Sequence, residues 1–248
     1  MLHLIKANMF RIYKKKSMRY YLIFISLGFI GIHVFMKTQY NDPDLYLMST
    51  QALLGFSTLF IGTYLFSLIY SDDVNSKTDL VSIGLGHKRM TLILSRFVSA
   101  VLMVLVVVNL MLLHVLILPR ILGYELSHSV CFLLVQQVLL EGFKILVYIT
   151  LASIVSYWFQ SNILATITYF VFTSGIVTSI LQLLTNFSVF NNMYVKVSPY
   201  LLSRLIIKVQ QGIIMDQSIT SSIMGIGIYI CVFLGISIVV YSKKDLEF

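Results

Sequence analysis

Residues 97–118 read FVSAVLMVLVVVNLMLLHVLIL, twenty-two residues without one Asp, Glu, Lys or Arg. Hydrocarbon offers the backbone no hydrogen-bond partner, so a segment that crosses a bilayer must bond to itself, and about 20 predominantly apolar residues in a helix do so. Five more runs have this character, at 20–36, 52–70, 131–158, 163–184 and 223–241. The run 131–158 would be about 42 Å long as a straight helix, so it must tilt, break or leave the bilayer. The expected fold is all-α, a polytopic membrane protein with six transmembrane helices in one domain, 20–248, preceded by an amphipathic segment, 1–19.

The composition agrees. Apolar residues make up 58% of the 248 and charged residues 11%, with a mean hydropathy of +0.90, whereas soluble domains carry about 25% charge. No stretch long enough for a water-soluble core lacks an apolar run. The net charge of +8 is gathered at the ends of runs, not interleaved with aromatics on one surface, which argues against nucleic acid as a partner. Cys131 and Cys231 sit in or beside apolar runs, where a free cysteine acts as a small hydrophobe, and imply no disulfide framework.

Lys and Arg set orientation, because positive loops stay on the side of synthesis. With the N-terminus in the cytoplasm, that side holds Lys6, Arg11, Lys14, Lys15, Lys16, Arg19, Lys77, Lys88, Arg89, Arg96, Lys243 and Lys244. The other side holds Lys37, Arg120, Lys196, Arg204 and Lys208. Six crossings return the C-terminus to the cytoplasm, and the chain is expected in the cell membrane. The basic start is too long for a secretory signal and lacks a small-residue cleavage site after the first apolar run, so it reads as a retained anchor.

Between the runs lie three segments with pattern of their own. Leu2, Ile5, Met9, Ile12 and Tyr13 recur at helical spacing, with Lys6, Arg11 and Lys14 on another side. This predicts a cationic amphipathic helix along the headgroups, the alternative being a solvated basic tail. The loop 71–96 mixes Asp72, Asp73 and Asp79 with Lys77, Lys88, Arg89 and Arg96. Within it Asp79 is placed to cap a short apolar helix that Gly84 and Gly86 end; the loop reads either as a docking surface for a soluble partner or as a charged linker. Across the membrane, Ser198 and Pro199 read as N-cap and first residue of a helix. Its stripe of Leu201, Leu202, Leu205, Val209 and Ile213 opposes Arg204, Lys208 and Gln211, and predicts a second interfacial helix on the outer leaflet.

Polar residues within the runs face partners or water, since lipid makes them costly. Ser174, Thr178, Gln182 and Thr185 share one face of the fifth run, and Gln51, Gly55, Thr58 and Gly62 one face of the second. Either face can line a conduit or serve helix packing, and small residues favour packing for the second. Glu141 and Lys144, three apart and so on one helix face, are the charges within a run and are expected to neutralise each other as a structural pair near the outer interface, or alternatively as a gate.

Enzyme chemistry has no residues to stand on. There is no G-x-x-x-x-G-K-[ST] phosphate loop, no H-E-x-x-H and no G-x-S-x-G elbow. His3, His33, His87, His114 and His128 lack metal-ligand spacing. Neither a catalytic set, a metal site nor a bound cofactor is expected. A membrane protein with polar stripes and no catalytic set reads as a conduit driven by an ion gradient or by another subunit.

The layout resembles the permease subunit of a type-2 ABC exporter. The likeness is carried by KANMFRIYKKKSMRYYL (residues 6–22) before the first span and SIGLGHKRMTLILSR (82–96) in the first cytoplasmic loop. A helical outer segment before the last span and the short tail YSKKDLEF (241–248) complete it. The resemblance covers the whole chain through arrangement and rests on no invariant signature. It implies a dimer of six-helix units, with an identical or a different second permease chain, bound to a pair of cytoplasmic ATPase subunits that hold ATP and Mg. It also implies that Asp79, Gly84, His87, Lys88 and Arg89 form the coupling element. Finally it implies a translocation path flanked by the second and fifth helices, with Gln51, Thr58, Ser174, Thr178 and Gln182. The cargo would be amphipathic, an antimicrobial or toxic peptide or a lipid-like molecule, as in small peptide-export and bacteriocin-immunity systems of Gram-positive bacteria. A secondary carrier without an ATPase, and a membrane scaffold, are the alternatives from other classes.

Overall fold

The structure is a computed structural model that describes residues 1–39, 43–75, 82–124, 126–184, 198–215 and 219–243. Among them the chain is helical and has no strand. In order come α1 (Leu2–Lys14), α2 (Lys16–Gln39), α3 (Pro43–Asn75), α4 (Arg89–Leu122), α5 (His128–Phe159), α6 (Asn162–Thr173) and α7 (Ile176–Leu184). A 3₁₀ turn at Ser198–Tyr200, α8 (Leu202–Met215) and α9 (Thr220–Lys243) follow. Five helices, α2, α3, α4, α5 and α9, are long and apolar enough to cross a membrane, and the bent pair α6–α7 makes a sixth if it is one span.

α5 is the hub, packed against α3, α4, α6, α8 and α9. Its residues Leu134, Val138, Ile145, Ile149 and Ala152 are fully buried in the main core with α3 and α4, while Leu140 and Val147 join a second core with Ile206, Val209, Ile213 and Ile226. α2 touches α1, α3 and α4 at the periphery. Its outer face of Phe24, Leu27 and Phe35 is exposed, the pattern of a helix whose solvent is itself apolar.

The helix ends follow from local chemistry. Pro119 has no N–H for the carbonyl of Val115 one turn back, and the Tyr46 hydroxyl of α3 donates to that carbonyl at 3.4 Å instead. Gly123, at φ +76, closes α4, its N–H donating to Arg120 O and that of Tyr124 to Pro119 O, a left-handed stop that glycine adopts without steric cost. Ser127 and Ser161 cap α5 and α6 by accepting from the N–H groups of Val130 and Leu164, so α6 follows α5 after only Gln160 and Ser161.

The helices depart from the apolar runs in four places. α1 ends at Lys14, where Lys15 turns extended at ψ 119, and α2 starts at Lys16, not at Tyr20. α4 reaches back to Arg89 and takes in Arg96, which lies 4% exposed inside the bundle and not in a loop. The fifth run is not one helix: α6 and α7 bend by 61° at Ser174 and Gly175, because Gly175 takes φ +78 and interrupts the helical hydrogen bonding. α8 begins at Leu202 and not at Pro199, after the 3₁₀ turn, and its apolar stripe of Ile206, Val209 and Ile213 is buried against α5 and α9. Tyr200 meets Tyr229 and Leu205 meets Gly225, so α8 runs antiparallel to the first half of α9.

Candidate functional site

Inside the bundle, α3, α5 and α6 converge on one charged group. Glu141 of α5, 4% exposed, receives Lys144 Nζ on Oε1 at 2.6 Å and the Thr58 hydroxyl of α3 on Oε2. The backbone carbonyl of Thr58 in turn accepts from the buried Tyr169 hydroxyl of α6 at 2.8 Å. Two glycines let the helices come this close. A Cβ on Gly62 would stand 1.7 Å from the Tyr169 hydroxyl, and one on Gly142 would stand 2.6 Å from Val108 Cγ2 of α4. Tyr148, one turn after Lys144, sets its ring edge-on to Tyr169 at 6.2 Å.

One turn before Glu141, Gln137 is 6% exposed, and among the described residues its Oε1 has no hydrogen-bond partner. Gln137, Lys144 and Tyr148 recur at i, i+7 and i+11, so α5 carries a polar seam along one face. Both Glu141 oxygens are satisfied and an opposite charge sits on the neighbouring turn, which is what a carboxylate requires in a low-dielectric interior. The cluster ties α3, α5 and α6 together and holds an opposite-charge pair inside the bundle. Among the described residues no group of three His, Cys, Asp or Glu is placed to hold a metal ion.

The two stripes read from sequence divide. On α3, Thr58 and Gly62 face α5 and α6, while Gly55 is exposed with open space around it and Gln51 is half-buried. On the fifth run the bend separates the residues. Ser174 is exposed at the corner, Gln182 is exposed on α7, and Thr178 Oγ1 donates to Gly175 O at 2.6 Å while lining a cavity of about 180 Å³ with Tyr148, Leu202 and Tyr229. Thr185 lies outside the described residues.

At the end of the bundle that carries α1, cations and tyrosines form a layer. Arg96 lies over the Tyr157 ring at 5.9 Å, and Tyr157 packs against both Tyr70 and Tyr241. Arg89 donates from Nη1 to the carbonyls of Tyr241 and Ser242 at 3.1 Å each and lies over the Tyr241 ring. It thus neutralises the C-terminal end of α9, where the helix dipole favours a cation. Just before α4, Gly86 at φ +86 closes a turn in which Gly86 N donates to Ile83 O and His87 N to Ser82 O. Gly84, His87 and Lys88 are exposed there, while Ile83 is half-buried against the core. Asp79 lies outside the described residues. α1 docks at this end through Ile12, 1% exposed, and Met9, and leaves Leu2, Phe10 and Tyr13 exposed beside Lys6 and Lys14.

Residue patterns alone did not reveal Thr58 and Tyr169 as partners of the Glu141 turn, nor Arg96 and Arg89 as bundle contacts. Pairing across helices of unknown order leaves no trace in spacing, although Arg96, seven residues into an otherwise apolar helix, was a visible signal.

Fold and site define an all-helical protein of long apolar helices, five or six of a length to cross a bilayer, around a buried charged cluster. That architecture is compatible with a multi-pass membrane protein. No family model matches the chain, and no curated protein matches it.

Proposed function

We propose that the chain is the membrane permease half of an ATP-binding cassette exporter, set in the cell membrane with both ends in the cytosol and driven by ATP hydrolysed on separate subunits. The observation that supports this reading is the concentration of exposed and basic parts at one end. α1, the exposed turn of Gly84, His87 and Lys88, and the end of α9 tied by Arg89 all stand together there. A pair of ATPase subunits closing on ATP would press that turn, Arg89 and Arg96 would pass the push to α9 and α5 through Tyr241 and Tyr157, and the helices would rock against a second permease chain. The apolar, hydroxyl-bearing helix faces suit an amphipathic cargo, a peptide toxin, an antimicrobial peptide or a lipid-like molecule.

The test is co-purification in mild detergent with an ATPase assay. An ATP-hydrolysing partner is expected, and His87→Glu with Lys88→Glu is expected to release it or to leave hydrolysis running without export. These two exposed residues are better probes than Arg89, whose loss would also uncap α9. Recovery of the chain alone, unaffected by the substitutions, would defeat the proposal.

One observation favours a second reading, a gradient-driven carrier. The buried Glu141, with Lys144 and Thr58, is the kind of intramembrane ionisable group that couples ion movement to transport. Uptake into proteoliposomes driven by a proton gradient without any ATPase, and lost in Glu141→Gln, would select it.

A further inference from the structure

Between α8 and the first half of α9 runs an open groove of about 590 Å³ that the transport reading does not use. Its walls change character along its length. At the end where α9 begins stand Lys208, Ser221 and Ser222. Ser222 is only 9% exposed, and among the described residues neither it nor Lys208 has a side-chain hydrogen bond or ion pair. The Ser222 hydroxyl is not enclosed but opens on the groove beside the exposed Lys208 ammonium, so both are free to donate to an occupant. Away from that end the groove continues over Gly225, Ile228 and Val232. The polar group deep in this stretch, the Tyr229 hydroxyl, is already spent on the Tyr200 carbonyl at 2.8 Å. The absence of a side chain on Gly225 makes the floor, where Leu205 Cδ1 already approaches to within 2.9 Å of the position a Cβ would take.

The dimensions choose the occupant. From Ser221 to Val232 the helix rises about 16 Å, half of a hydrocarbon layer of about 30 Å. A cation with two hydroxyls at one end and an apolar trough one leaflet deep match a molecule with an anionic head and an acyl chain. The start of α9 adds the positive end of a 24-residue helix to the same place. We infer that this groove is a binding site for a lipid with an anionic phosphate headgroup, taken from the leaflet in which α9 begins, the outer one in the orientation proposed above. The inference rests on the membrane-spanning reading and needs no ATPase.

Native mass spectrometry of the purified full chain tests it, after exchange into equal amounts of phosphatidylglycerol and phosphatidylcholine with identical acyl chains. The wild type is expected to retain phosphatidylglycerol in preference. Lys208→Gln should lower that occupancy about fivefold, the weight of one cation beside a headgroup, with phosphatidylcholine unchanged. Ile228→Trp, at a position 64% exposed, should fill the trough and displace both lipids. Lys208 and Ile228 both lie on the surface, so the variants should keep the wild-type unfolding temperature. Lys37→Gln, on α2, should match the wild type. Equal retention of the two lipids, or a preference that survives Lys208→Gln, would overturn the inference.

Discussion

Glu141 owes its tolerance in the bundle to two donors on different helices, Lys144 one turn away and Thr58 on α3. Removing one member of such a pair strands the other, which typically costs about 3–5 kcal/mol, whereas removing both charges together costs far less. Lys144→Met is therefore expected to lower the unfolding temperature in detergent sharply, and Glu141→Gln added to it should restore most of the loss. Additive losses in the double variant would mean that the two residues act separately. The pair was legible in the sequence because i, i+3 spacing needs only the knowledge that the segment is helical. Thr58 was legible merely as one member of a small-residue stripe, because its partner lies 83 positions away and nothing in local pattern encodes that distance. Arg96 was misplaced for a related reason. A run bounded at its last charge ends where hydropathy falls, whereas the helix continues wherever an aromatic partner such as Tyr157 can take the guanidinium.

At the scale of elements, the long helices were readable and their interruptions were not. Runs of 17 to 28 apolar residues leave a helix as the acceptable backbone in lipid, but hydropathy is blind to a bend inside such a run. The 61° corner between α6 and α7 turns on Gly175, whose φ of +78 a side chain resists. Gly175→Ala is expected to cost about 1–2 kcal/mol, the penalty for placing a Cβ in the left-handed region. The control, Gly55→Ala, sits where a new methyl meets nothing within 4 Å and should be neutral or better. Comparable losses at both sites, measured by thermal unfolding, would remove the bend as the explanation. The periodicity of α8 was clear from its sequence, yet its stripe met protein at α5 and α9. An amphipathic pattern states that one face is buried and is silent about what buries it.

For the whole molecule, orientation carries the most weight, since the proposed function requires the end with the exposed turn of Gly84, His87 and Lys88 to lie in the cytosol. With Cys131 and Cys231 replaced by Ser, a cysteine introduced at the exposed His87 should react with an impermeant maleimide only after cells are opened; reaction in intact cells would reverse the topology. The unequal stature of the helices has a consequence of its own. α3, α4 and α5 have 33, 34 and 32 residues against 24 in α2 and α9, about 50 Å against 36 Å along their axes. Part of the extra length is polar: α3 is apolar over Tyr46–Tyr70 and ends in SDDVN, and α4 opens with Arg89 and Arg96 in its first turns. On the membrane-spanning reading, the last residues of α3 and the first turns of α4 with Arg89 and Arg96 would rise past the lipid at the end that carries α1, a plinth of helix standing in water.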